Sequence, residues 1–148
     1  YILYPIPYVN SVIYFDIYVY MYRLAQVNQS VSILGYQKHM QNHIDVILHI
    51  LDYINEYKKQ ENYDKLKDMY MSERIADMIN NQVDIFVSFP LKDKEMKQKF
   101  KDFDQSVKQR NDYVYKKSGT CSRVLKMLRK TKFRFYKSLV LISKIKNK

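Results

Sequence analysis

Residues 91–119 have the sequence LKDKEMKQKFKDFDQSVKQRNDYVYKKSG, in which apolar side chains recur at alternating spacings of three and four residues. This period places those side chains on one face of an α-helix. Acidic residues fall in the first turn and Lys116 and Lys117 in the last, as the helix dipole favours, and Gly119 follows as a C-cap. The stretch therefore predicts one long amphipathic helix that ends at Gly119.

One position in this apolar series is charged. Arg110 continues the spacing of the other members, which are Met96, Phe100, Phe103, Val107 and Val114. Burial of an unpaired guanidinium is costly. We therefore expect Arg110 to have a polar partner or to line a polar cleft.

The rest of the chain also has mostly helical patterns. Residues 36–60 carry an apolar stripe at spacings of three and four, and a second stripe begins after a polar break and continues to Pro90. Ser122 is a typical N-cap residue, and one or two basic amphipathic helices follow it. Two glycines and three prolines in 148 residues leave few helix breakers. The sequence predicts an all-α protein, with residues 1–148 in a single bundle of about four to six helices.

Residues 12–22 fit two periods. Alternation places Ile13, Phe15 and Ile17 on one side of a strand, whereas a period of 3.6 residues gives a helical stripe. A strand needs a partner, and the comparable run is residues 83–89. We favour a core helix, because the rest of the chain is helical. The alternative is an α+β fold with a short strand pair formed by 12–22 and 83–89.

The net charge of +11 is unevenly distributed. Residues 1–115 carry 14 basic and 15 acidic side chains, whereas residues 116–148 carry 12 basic and no acidic ones. Such asymmetry is typical of proteins that bind a phosphate backbone or another anionic surface. The candidate nucleic-acid-binding residues in the basic C-terminal segment are Lys116, Lys117, Arg123, Lys126, Arg129, Lys130, Lys132 and Arg134.

The motif RNDYVY, at residues 110–115, resembles the R-N-x-x-x-H motif of the HEPN superfamily, with Tyr115 in place of the histidine. Members of that superfamily are helical bundles and are commonly dimeric. Many are metal-independent ribonucleases of toxin–antitoxin or anti-phage systems. The resemblance implies RNA as a partner, a homodimer or a cognate antitoxin as further partners, and Arg110, Asn111 and Tyr115 as catalytic positions.

The departure at Tyr115 affects the expected chemistry. RNA cleavage through the 2′-hydroxyl needs a group that moves protons and a cation that stabilises the developing phosphorane charge. Arg110 suits the second role because its planar guanidinium binds phosphate in a bidentate way. A tyrosine, with a pKa near 10, is a poor base at neutral pH, although it can stack on a base. We therefore expect an RNA-directed protein with weakened or lost endoribonuclease activity.

An alternative hypothesis assigns the chain to a different class. Arg110 and Asn111 are then polar residues at a helix–helix contact, and the protein is a non-enzymatic interaction module, either antitoxin-like or virus-encoded and Bcl-2-like. A hydrophobic groove between helices, together with an internally paired Arg110, would favour this alternative.

Metal and cofactor chemistry is not expected. His39 and His43 share a helix face, but a zinc site needs at least three converging protein ligands. Cys121 is the one cysteine, which excludes an intrachain disulfide and fits a reducing compartment such as the cytoplasm. The sequence has no glycine-rich phosphate loop.

A membrane partner is also not favoured. The most apolar stretch, residues 12–25, is interrupted by Asp16 and Arg23 and is shorter than a membrane span. The basic C-terminal segment could lie on an anionic bilayer with Phe133, Phe135 and Tyr136 in the interface, and we rank that hypothesis third.

Overall fold

A computed structural model describes residues 3–18 and 32–146. Within these ranges the chain forms a short 3₁₀ turn, Ile6–Tyr8, and seven α-helices: α1 (Ile33–Lys38), α2 (Met40–Tyr57), α3 (Lys65–Ser88), α4 (Lys94–Arg110), α5 (Asp112–Cys121), α6 (Arg123–Lys130) and α7 (Tyr136–Lys146). None of the described residues forms a β-strand, so the prediction of an all-α bundle is confirmed. There are more helices than the predicted four to six.

Helix α3 lies at the centre of the bundle and packs against α2, α5, α7 and α1. Its N-cap is Asp64, whose carboxylate accepts hydrogen bonds from the backbone N–H groups of Leu66 and Lys67. Aromatic rings fill the core beside α3. The rings of Phe86 and Phe100 stack at 4.3 Å, and Phe133 meets Phe100 edge-on at 5.0 Å. These contacts hold α3, α4 and the turn after α6 together.

The predicted single helix over residues 91–119 is wrong. Helix α4 ends at Arg110, and α5 begins at Asp112. Asn111 between them is extended, with φ −151° and ψ 96°. Gly119 lies inside α5 and is not a C-cap. In the sequence, the apolar residues keep their spacing of three and four across the junction because Val107 on α4 and Val114 on α5 are both fully buried.

The predicted core helix over residues 12–22 is also wrong in the part that the structure describes. Residues 12–18 are non-helical and exposed, and residues 19–22 lie outside the described ranges. The alternative strand pair is wrong too, because residues 83–88 belong to α3. Ser122 does cap α6, as predicted, by accepting a hydrogen bond from Leu125 N, and two helices follow it.

The residues that precede this exposed segment are fixed to the bundle. Leu3 and Pro7 are buried. The Tyr53 hydroxyl donates to the carbonyl of Tyr4 at 2.8 Å, and the Lys67 ammonium donates to the carbonyl of Pro7 at 2.9 Å. The chain therefore leaves the bundle near the N-terminal end of α3.

Among the helices that the structure describes, none combines the length and the apolar character needed to cross a bilayer.

Candidate nucleic-acid interface

Asn111 connects three helices through its side-chain amide. The amide oxygen accepts a hydrogen bond from Val114 N at 3.0 Å and so caps α5. The amide nitrogen donates to Asn55 Oδ1 at 3.1 Å, and Asn55 Nδ2 donates to the carbonyl of Arg110 at 2.8 Å. Asn111 is buried, and the α5 cap and the contact with α2 together use both ends of its amide. Its position indicates a structural role at the α4–α5 junction.

Arg110 has the partner that the sequence led us to expect. Its Nε lies 3.2 Å from one carboxylate oxygen of Asp52 and 3.3 Å from the other. The pair joins the end of α4 to α2 and lies at the surface of the bundle. Exposed pairs of this kind contribute little to stability. The guanidinium is thus neither buried nor unpaired.

Tyr115 lies on the other side of the junction. Its half-buried ring lies beneath the Arg129 guanidinium, whose central carbon is 3.6 Å from the ring centroid, and Lys108 Nζ is 5.7 Å from the same centroid. Burial raises the pKa of the Tyr115 hydroxyl, and the Asp104 carboxylate raises it further, against the opposing effect of Arg129. A tyrosine with a raised pKa is a still poorer base at neutral pH.

Arg129 forms the centre of an internal network. Its Nε and Nη2 donate to Asp104 Oδ1 at 2.9 and 2.7 Å. It also donates to the carbonyl of Tyr115 and, at 3.1 Å, to the hydroxyl of Ser118. Only 10% of the Arg129 side chain and 8% of the Asp104 side chain are exposed. Arg129 therefore ties α6 to α4 and α5, and its donors are directed inwards.

The other predicted cations fall into two groups. Lys117 pairs with Glu73 and Lys116 with Asp112, at 2.7 and 2.6 Å. The hydrogen bond with Lys117 lowers the pKa of Glu73, and the same bond raises the pKa of Lys117. The remaining five are exposed, and none forms an ion pair with another described residue: Arg123, Lys126, Lys130, Lys132 and Arg134.

Two of these unpaired cations, Lys132 and Arg134, lie on the turn between α6 and α7, and Lys130 is the last residue of α6. Lys132 N donates to the carbonyl of Arg129 at 3.1 Å, and Phe133 N donates to the carbonyl of Leu128 at 2.7 Å. These are the two hydrogen bonds of a Schellman motif, which usually has glycine where Lys132 stands. Lys132 and Phe133 have φ values of 50° and 60°. A left-handed conformation costs a residue with a side chain about 1–2 kcal/mol.

The turn borders a surface that we call the basic face, formed by Lys101, Lys108, Lys130, Lys132 and Arg134. A concave cavity of about 250 Å³ lies on this face between α4 and the turn, and its charged lining consists of Lys101, Lys108, Arg129, Lys132 and Asp104. A second cavity of about 310 Å³ is formed by the turn itself and includes Phe135, whose side chain is 52% exposed. The two cavities share Lys132.

The contribution of α4 to this face was not predicted from the sequence. Lys101 and Lys108 are seven residues apart, and this spacing returns to the same side of a helix after two turns. The signal was obscured because α4 also carries Glu95, Asp102 and Asp104, which reduce the six basic charges of the helix to a net charge of +3. Asp104 is neutralised by Arg129, so the cations of α4 and the turn dominate the cavity.

The structure separates the three residues of the RNDYVY motif. Arg110 points towards α2, Asn111 is buried at the junction, and Tyr115 borders the cavity of the basic face. Within residues 3–18 and 32–146, no group of three or more His, Cys, Asp or Glu side chains converges as a metal site would require.

No known protein-family model matches the chain, and no curated protein or solved structure matches it either. The HEPN resemblance of residues 110–115 therefore stays a prediction.

Proposed function

We propose that this protein is an RNA-directed helical bundle that binds the sugar–phosphate backbone on its basic face. The observation that supports this proposal is a concave surface lined by one acid, Asp104, by Arg129, which pairs with it, and by the five cations of the basic face. Phosphates bind such surfaces with release of counterions. The exposed ring of Phe135 lies among these cations and offers a platform on which an unpaired base can stack.

Binding without efficient cleavage is the form of the proposal that the geometry supports. Arg110 is paired with Asp52 on α2, whereas the ring of Tyr115 lies beneath Arg129 of α6, so each side chain is already engaged by a different partner. Asn111 uses its amide for the helix junction. The raised pKa of Tyr115 further weakens it as a proton acceptor. RNA binding and the HEPN resemblance are both part of this proposal.

The test is fluorescence anisotropy with a labelled single-stranded RNA at several salt concentrations. Wild-type affinity should fall steeply with salt, with a log–log slope of about −0.7 for each phosphate contact. Lys132→Glu with Arg134→Glu should weaken binding by at least tenfold and make the slope shallower. Lys38→Glu with Lys65→Glu changes the net charge equally on exposed residues of α1 and α3, and it is the matched control. Equal weakening by both double variants would show that net charge, not the basic face, controls binding.

Cleavage is tested with the same RNA on a denaturing gel, using the wild type, Arg110→Ala and Tyr115→His. We expect intact RNA with all three proteins. Cleavage that appears in Tyr115→His and is lost when Arg110→Ala is added would contradict the binding-only proposal and identify a disarmed nuclease site.

The second candidate is the non-enzymatic interaction module, which two observations favour. Arg110 is paired with Asp52 at the surface of the bundle, and an apolar groove lies between α3, α6 and α7. RNA anisotropy distinguishes the candidates, because a module of this kind shows no salt-sensitive RNA binding that depends on Lys132 and Arg134.

A further inference from the structure

The turn after α6 buries two aromatic rings and leaves a third in solvent. Phe133 and Tyr136 are 6% and 5% exposed, and both rings meet the ring of Phe100 edge-on in the core. Phe135 lies between them in the sequence, yet half of its side chain is exposed. A single exposed apolar side chain is ordinary on a protein surface, so its surroundings decide whether it has a role.

Unpaired cations surround the Phe135 ring. The cavity formed by the turn is lined by two apolar or neutral residues and three basic ones: Lys130, Thr131, Lys132, Arg134 and Phe135. None of the three cations forms an ion pair with another described residue. Proteins bind unpaired nucleotides with this combination, because the ring stacks on a base and the cations follow the phosphate backbone.

The other aromatic side chains of the basic face are not free to stack. Tyr115 is half-buried, and the central carbon of the Arg129 guanidinium lies 3.6 Å from its ring centroid. Phe133 is buried in the core. Among the described residues that line the two cavities of this face, Phe135 is therefore the aromatic side chain with an available ring.

The shape of the basic face adds a second constraint. The neighbouring cavity, between α4 and the turn, has a volume of about 250 Å³, and its lining includes Lys101, Lys108 and Lys132. A double helix is a stiff, wide cylinder that carries its phosphates on the outside and its stacked bases within, so it cannot enter so small a cavity. A single strand can bend into it, and its bases are free to stack on a protein ring.

We propose that the basic face selects single-stranded RNA, with one base stacked on the Phe135 ring and the phosphates on either side of that base held in the two cavities. Lys132, which lines both cavities, joins the two phosphate sites. This inference rests on the proposed RNA binding and adds to it the strand state of the ligand and the position of one base.

The first experiment uses a fluorescent reporter at the stacking position. The chain contains no tryptophan, so Phe135→Trp introduces a single one. Stacking on a base quenches tryptophan fluorescence. We expect strong quenching by a single-stranded oligouridylate. We expect little quenching by duplex RNA with the same number of phosphates, or by inorganic polyphosphate.

Leu66→Trp is the matched control for this reporter. Leu66 is more exposed than Phe135 and lies in the first turn of α3. Phe86, which stacks on Phe100 beneath the turn, is twenty residues further along α3, or about 30 Å away. Single-stranded RNA should therefore leave the fluorescence of the Leu66→Trp variant unchanged.

The second experiment distinguishes stacking from apolar contact by fluorescence anisotropy. Phe135→Leu keeps an apolar side chain without a ring, and it should weaken the binding of single-stranded RNA about tenfold, through the loss of one stacked base. Phe135→Tyr keeps the ring and should bind as wild type does. Neither variant should alter the weaker binding of duplex RNA. Because the Phe135 ring lies outside the core, both variants should keep the fold.

The outcomes distinguish failure of this inference from failure of the proposed function. Salt-sensitive binding that depends on Lys132 and Arg134, but is equal for single and double strands or unchanged in Phe135→Leu, would overturn the strand selectivity and leave RNA binding in place. Quenching of the Phe135→Trp variant by polyphosphate as strongly as by RNA would overturn the stacked base. The absence of salt-sensitive binding to any RNA would overturn both proposals.

Discussion

Replacement of Arg129 by methionine should destabilise the fold by about 3–5 kcal/mol, because it leaves the carboxylate of Asp104 buried without a partner. The substitution removes four hydrogen bonds that the Arg129 guanidinium donates. Asp104 loses both hydrogen bonds from the guanidinium, and the carbonyl of Tyr115 and the hydroxyl of Ser118 each lose a donor. For a domain of this size, about 2–4 °C is lost per kcal/mol, so the melting temperature should fall by about 6–20 °C.

Urea and thermal unfolding followed by circular dichroism measure this change. The control is the double variant Arg129→Met with Asp104→Leu, which removes the uncompensated charge and should recover most of the stability. A loss of stability below about 1 kcal/mol in the single variant would refute the reasoning, since only a solvent-exposed ion pair contributes so little to stability.

The same variant should have a characteristic pH dependence. Burial raises the pKa of Asp104 even in the presence of Arg129, and removal of the guanidinium takes away an effect that lowers this pKa. A group whose folded pKa exceeds its unfolded pKa favours folding below the unfolded value and loses that contribution as the pH rises through the folded value. The deficit of Arg129→Met should therefore be largest at neutral pH and should shrink as the pH falls towards 4. A deficit that does not change with pH would show that Asp104 is not the cause.

Three further changes have defined outcomes. Asn111→Ala removes the α5 cap and should cost about 1–2 kcal/mol in urea unfolding, and no loss would contradict the role of the junction. Lys132→Gly removes the energetic cost of a left-handed backbone conformation, so it should stabilise the fold by about 0.5–1 kcal/mol while weakening RNA binding. Lys132→Ala should weaken RNA binding without the gain in stability. Burial raises the pKa of Tyr136 to about 12, so its contribution to stability is present below pH 10 and is lost as the pH rises through 12. Tyr136→Phe should therefore remove part of the alkaline loss of stability, and an unchanged alkaline profile would show that the buried hydroxyl does not ionise on unfolding.

Local patterns in the sequence were sufficient to predict the helical class. The apolar stripes of α2, α3 and α4 follow the helical period closely, and Asp64 and Ser122 are cap residue types directly before the helices that they cap. The break at Asn111 could not be predicted in this way. It depends on Asn55, which is 56 residues away in the sequence and completes the junction through the Asn111 amide.

The candidate site was predictable only in part. The excess of cations after Lys116 is visible in the sequence, but which of them are free depends on tertiary partners. Arg129 is occupied by Asp104, and Lys117 by Glu73, at separations of 25 and 44 residues. The predicted core helix over residues 12–18 was wrong for a different reason. Its side chains suit a core by composition, yet no element of the described bundle covers them.

The turn after α6 has a consequence for how a ligand would bind. Its backbone is closed by its own hydrogen bonds, and buried Phe133 fixes it against Phe100, so the cations of the turn are held in place before any partner arrives. A preorganised surface loses little main-chain entropy on association. Loosening the turn, for instance with Phe133→Ala, should therefore weaken RNA binding without removing a single charge.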